Sequence, residues 1–122
     1  MTSRTHLDYL TDIRDSARKA LAFVTGMDFP SFAADEKTSY AVVRALEILG
    51  EATKRIPTAV RDRHPKVPWR AMSGIRDILI HDYFSVNANV VWKTVTEDLP
   101  PLLGQMDVII ASEFATDSLS SA

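Results

Sequence analysis

The sequence contains no cysteine, which excludes disulfide staples and thiolate metal sites. Glycine is scarce too. Four residues in the whole chain are too few and too scattered for a phosphate-cradling loop or a dinucleotide fingerprint. Long apolar runs are also missing. Stretches such as Val108-Ile109-Ile110-Ala111 fall far short of the roughly 20 residues needed to span a bilayer. The opening Met1-Thr2-Ser3-Arg4-Thr5-His6 lacks the apolar core of a secretory signal. A soluble, cytoplasmic protein with no membrane partner is expected. The three histidines show no His-x-x-x-His or His/Glu zinc spacing. Glu47 and Glu51 lie four apart, as a metal-binding pair could, but no Glu-x-x-His motif joins them on another helix. An ion-paired or solvated face is the plainer reading, and neither metal nor cofactor is expected.

What is present is a chain of 122 residues, the size of one domain, so residues 1–122 are read as a single unit. The net charge of −2 is unevenly spread. Lys54, Arg55, Arg61, Arg63, Lys66, Arg70 and Arg76 face a single acid, Asp62, giving this segment a charge of +6. The remainder holds seven basic and fifteen acidic residues, or −8. This asymmetry suggests a face that attracts phosphate on an otherwise acidic body; the alternative is a set of arginines that only solvate a polar helical face. On the first reading Arg55, Arg61, Arg63, Lys66 and Arg70 contact the phosphates of a nucleic acid.

Apolar residues recur at three- and four-residue steps. Leu7, Leu10, Ile13, Ala17, Leu21 and Val24 predict a helix from about Thr5 to Thr25, ended by Gly26. Met27 to Asp35, with Phe29, Pro30 and Phe32, reads as a loop pinned to the core. A second helix is expected from Glu36 to Ile56, stopped by Pro57, and a short helix over Thr58–His64 capped by Thr58. Pro68-Trp69 opens a third main helix, lasting to Ile80 or His81. Ser85 or Asn87 then caps a long final helix, which Pro100-Pro101 should kink or break near Asp98. Residues 115–122 read as a flexible tail. With no alternating apolar pattern and no hairpin turn, the fold class is all-α, an antiparallel bundle of four to five helices.

Chemistry concentrates in Ile75-Arg76-Asp77-Ile78-Leu79-Ile80-His81-Asp82-Tyr83-Phe84. Asp77 lies four residues before His81, so its carboxylate can support the imidazole in its protonated form. Arg76 and His81 are five apart, about 140° around an ideal helix, which is awkward for two groups that must meet on one substrate. The spacing works if His81 sits at a fraying end, or if two copies of the helix face each other. The bland alternative is a helix terminus whose polar residues satisfy carbonyls and nearby acids. His6 and His64 read as a frayed start and a turn. No helix-turn-helix with a polar recognition helix is evident, so DNA is not an expected partner.

At Arg76, His81 and Tyr83 the chain resembles the HepT-like toxins of the HEPN superfamily, whose hallmark is Arg-x-x-x-x-His-x-Tyr. The likeness extends to Tyr40–Ala52, ending in Gly50-Glu51-Ala52; to Val67-Pro68-Trp69 at the entry of the motif helix; and to Val91-Trp92 and Asp98-Leu99-Pro100. It covers about residues 5–112. Asp77 departs from the asparagine that often follows the arginine. The resemblance implies a HEPN-like fold and a metal-independent endoribonuclease, the toxin of a type II/VII-like toxin–antitoxin pair. Arg76 and His81 would be its catalytic residues. It also implies a homodimer with a shared cleft, and a nucleotidyltransferase antitoxin that adds AMP to Tyr83. A non-catalytic subunit that docks a nucleotidyltransferase is the competing implication.

Overall fold

The computed structural model describes residues 4–82 and 87–121, with side chains at 78, 80–82, 120 and 121 outside the description. Among the described residues every regular element is helical. Four long helices, α1 (His6–Phe23), α3 (Glu36–Lys54), α5 (Trp69–Asp82) and α7 (Leu99–Ser121), make the bundle. Three one-to-two-turn helices, α2 (Phe29–Ala34), α4 (Thr58–Arg63) and α6 (Ala88–Lys93), connect or brace them. α3 is the central element, packing on α1 along one side and on α5 along the other, while α1 also packs against α7. No described helix is long and apolar enough to cross a membrane.

Local chemistry sets the boundaries. Thr5 starts α1 as its N-cap, and the Asp8 carboxylate accepts the Thr5 backbone N–H at 2.9 Å, closing a capping box. Leu10, Ile13, Ala17 and Ala20 of α1 are fully buried; the first three belong to the predicted stripe, Ala20 does not, and Leu7 and Leu21 of that stripe are half-buried. Gly26 follows α1 with φ +79, a left-handed turn that glycine adopts without steric cost. The expected loop at 27–35 instead winds a turn and a half of helix. The Asp28 carboxylate accepts the Ser31 N–H at 2.9 Å and Pro30 stands in the first turn. This segment is pinned as anticipated, because Phe32 is 1% exposed and both Phe29 and Phe32 pack on the Trp92 ring. Burial of one such aromatic side chain stabilises by about 2–3 kcal/mol.

Asp35 caps α3 by accepting the Thr38 N–H at 3.0 Å. α3 ends at Lys54, before Pro57 and slightly earlier than expected. α4 begins at Thr58, but its N-cap is Pro57, with no side-chain cap hydrogen bond. The predicted capping role of Thr58 is therefore corrected: Thr58 is already helical, and its hydroxyl is one position too late to cap. Asn87 caps α6, accepting the Asn89 N–H at 3.1 Å; Ser85, the other predicted cap, lies outside the described residues.

The proline pair of α7 produces a change of register, not a break. Pro100 and Pro101 lack N–H groups, so carbonyls four residues before them lose their α-helical donors. The chain widens just ahead into a π turn over Thr94–Asp98, with Leu99 N–H donating to the carbonyl of Thr94, five residues back. Such turns are the usual accommodation of a helix that cannot keep its ladder. Beyond it, α7 continues as helix through the stretch from Ala115 to Ser121.

Candidate active site

α5 carries the motif, and α3 holds α5 in place. Among the described residues of α5, Trp69, Met72 and Leu79 are buried; the Trp69 indole N–H also donates to the His64 carbonyl at 2.9 Å, which fixes the helix entry. The two helices touch where α3 has Gly50. A Cβ there would lie 3.4 Å from the Arg76 backbone nitrogen and 3.5 Å from the Arg76 Cβ. The motif helix thus lies directly on α3 at Arg76, with room for no more than ordinary van der Waals contact between a Cβ at position 50 and the Arg76 backbone.

That close approach brings Arg76 to the next residue of α3. Its Nη1 donates to the Glu51 carboxylate at 3.0 Å, with the guanidinium 46% exposed. Arg55 donates to the other oxygen of the same carboxylate at 3.3 Å. One acid therefore serves two guanidiniums, one turn apart along α3 and across to α5. A cleft of about 500 Å³ opens here, lined among others by Tyr9, Arg44, Glu47, Glu51, Arg55 and Arg76. Glu47 holds Arg44 at 3.2 Å, so both carboxylates of the Glu47/Glu51 pair are engaged by arginines. Among the described residues no group of histidines and carboxylates is arranged to hold a metal ion.

Asp77 is exposed, 3.9 Å from Lys54 Nζ. His81 is helical, in the last turn of α5, four residues after Asp77; its side chain is outside the description, and Tyr83 lies outside the described residues altogether. Because α5 is a continuous helix from Trp69 to Asp82, the separation of about 140° between Arg76 and His81 holds in the folded chain.

The basic segment splits into two groups. Lys54, Arg55 and Arg76 converge beside the α3–α5 contact, and Lys66 and Arg70 are exposed. Arg61 is turned inward, donating to the carbonyls of Thr53 at 2.6 Å and Ile56 at 3.1 Å, and so satisfies the open C-terminal end of α3. Arg63 points to α7, where its Nε and Nη2 donate to the two oxygens of the Glu113 carboxylate.

Glu113 is the polar centre that sequence reasoning missed. It is 2% exposed on α7, bound by Arg63 and by His64 Nε2 at 2.8 Å, with His6 Nε2 3.3 Å away. The Arg63 hydrogen bonds, with those from His64, hold its pKa down to about 2 against the cost of burial. One signal was available: Leu102, Met106 and Ile109 define the buried stripe of α7, and a further step of four lands on Glu113.

A helical bundle that carries Arg-x-x-x-x-His on one helix packed against Gly50-Glu51 of another is a HEPN-like domain. The chain belongs to the ribonuclease HepT-like family, whose model matches residues 13–109. It is similar to a protein of Thermococcus cleftensis named "Probable ribonuclease HepT", 48% identical over 104 residues, covering 85% of this chain and 94% of that one. A protein of Caldanaerobacter subterraneus subsp. tengcongensis named "Putative RNase" is 39% identical over 110 residues, covering 90% and 98%. Another with the same designation, from Methanocaldococcus jannaschii, is 38% identical over 109 residues, covering 89% and 100%. No solved structure matches the chain significantly.

Proposed function

We propose that the protein is a metal-independent endoribonuclease in which Arg76 and His81 act on one phosphodiester of RNA, and that it is the toxin of a toxin–antitoxin pair. The observation that carries the reading is a solvent-facing Arg76 at the mouth of a cleft, on the same helix as His81, in a chain of the ribonuclease HepT-like family. RNA brings its own nucleophile, the 2′-hydroxyl beside the scissile phosphate. His81 takes the proton as that oxygen attacks phosphorus, and a proton is returned to the departing 5′-oxygen, leaving a 2′,3′-cyclic phosphate. Arg76 stabilises the charge gathering on the phosphoryl oxygens through its planar donor fork. Nothing in this sequence of steps calls for a metal ion. Asp77 supports the imidazole from one turn earlier, and the exposed Arg55, Lys66 and Arg70 attract the strand.

The active unit on this reading is a homodimer. Two α5 helices facing each other across a two-fold axis bring an arginine of one copy to a histidine of the other, which the 140° separation on one helix disfavours. Incubation with an RNA oligonucleotide is expected to yield fragments ending in a 2′,3′-cyclic phosphate, at an undiminished rate in EDTA. Fragments with a plain 3′-hydroxyl, or loss of cleavage in EDTA, would sink the mechanism.

Regulation falls on Tyr83. A nucleotidyltransferase antitoxin that transfers AMP to its hydroxyl would place phosphate two residues beyond His81, where substrate phosphate must bind, blocking the site by charge and bulk. Co-expression with a neighbouring nucleotidyltransferase is expected to add AMP mass to the peptide containing Tyr83 and to abolish cleavage. Full protection by the antitoxin with Tyr83 unmodified would reject this route.

A further inference from the structure

The cleft is lined by three carboxylates, Asp12, Glu47 and Glu51, which an RNA-binding surface would ordinarily exclude; Asp12 and Glu47 are paired with Arg4 and Arg44. Glu51 lies beside Arg76, where a negative charge opposes substrate phosphate by simple repulsion. Its placement is specific. The contact with Arg76 runs through Nη1 alone, and among the described residues the Arg76 side chain makes no other hydrogen bond. A guanidinium has five N–H donors in a rigid plane, so holding it by one nitrogen restrains the side chain's reach while donors on Nη2 and Nε remain. Glu51 also takes Arg55 through its second oxygen, which orients the carboxylate itself. Gly50, immediately before it, lies against the Arg76 backbone where α3 and α5 meet.

We propose that Glu51 is a positioning residue for Arg76: it anchors one edge of the guanidinium so that the remaining donors are presented to the phosphoryl oxygens of the reacting phosphate. Free arginine side chains carry substantial rotamer entropy, and fixing the fork before substrate arrives removes that loss from the transition state. The same carboxylate weakens ground-state attraction for phosphate. Its removal should therefore lower turnover without weakening binding, a split that a merely structural residue does not produce. This inference rests on the ribonuclease reading above.

The test is Glu51→Gln, which keeps shape and removes charge at a part-exposed position. With an RNA oligonucleotide, kcat is expected to fall about tenfold, while affinity for the non-cleavable 2′-deoxy analogue is unchanged or rises, with the melting temperature preserved. In an Arg76→Lys background, where there is no planar fork to orient, the same substitution is expected to change kcat by less than twofold, as a double-mutant cycle for coupled groups requires. Unchanged kcat in Glu51→Gln, a parallel loss of kcat and affinity, or an equal kcat loss in both backgrounds would overturn the positioning role. If the unsubstituted protein cleaves no RNA, the ribonuclease reading itself falls; normal cleavage by Glu51→Gln removes only the inference drawn here.

Discussion

His81→Ala is expected to lower RNA cleavage by about 10²–10⁴-fold, the range for loss of a positioned general acid–base group. Arg76→Ala should cost a comparable factor, about 10²–10³, as removal of one preorganised charge-stabilising donor set does. The two losses have different signatures. Without His81, RNA should still bind, because the cationic surface of Arg55, Arg76, Lys66 and Arg70 is intact. Without Arg76, both turnover and affinity should fall. Arg76→Lys separates charge from geometry: an ammonium restores a positive point charge but not the fork, so affinity should recover more than kcat. Because the proposed unit is a dimer, mixing separately purified His81→Ala and Arg76→Ala chains offers a sharper reading. If each cleft draws the two groups from different copies, a heterodimer retains one cleft with both groups and one with neither, and mixing should restore part of the activity. If both groups act from the same copy, every cleft lacks one of them and mixing restores nothing. Substitutions that leave cleavage within threefold of the unsubstituted protein would remove both residues from the mechanism.

Much of this arrangement was legible in the sequence. The stripes of α1 and α3 and the apolar positions of α5 repeat at helical spacing, Gly26 and Pro57 mark the helix stops, and the motif on α5 stands out because polar residues interrupt an apolar helical end. The illegible parts share a physical cause, which is dependence on partners distant in the chain. α2 is six residues long, too short to establish a period, and its register is decided by Trp92, some sixty residues later. Charge counting could not distinguish an arginine that faces solvent from Arg61, which closes the end of α3, or Arg63, which binds a carboxylate fifty residues away. The π turn before Pro100 follows from missing N–H donors, but local sequence does not tell whether a helix kinks, breaks or widens. Gly50-Glu51 was visible as a family-like segment, whereas its physical purpose emerges only once α5 lies across it.

The largest effect on stability belongs to Glu113. An ionised carboxylate that is 2% exposed is tolerable only because Arg63 and His64 supply its hydrogen bonds, and removing one member of such a buried set leaves the others desolvated and uncompensated. The sign with pH follows from the lowered pKa. Above the unfolded value near 4.5 the folded state gains the full benefit of the ionised group; as pH falls toward the folded value of about 2, the unfolded chain takes up a proton that the folded chain resists, and the benefit is lost. The linked stabilisation at neutral pH is about 3 kcal/mol at most, reduced somewhat because Arg63 reaches solvent and its charge is partly screened. Glu113→Gln is thus expected to lower the melting temperature by roughly 10 °C at pH 7 for a domain of this size, and Glu113→Ala by more, since it also leaves a cavity. The gap between the unsubstituted protein and Glu113→Gln should narrow steadily between pH 5 and pH 3. A gap that stays constant over that interval, or that is under about 3 °C at pH 7, would show that the tie between α1, α4 and α7 is held by packing and not by this buried charge.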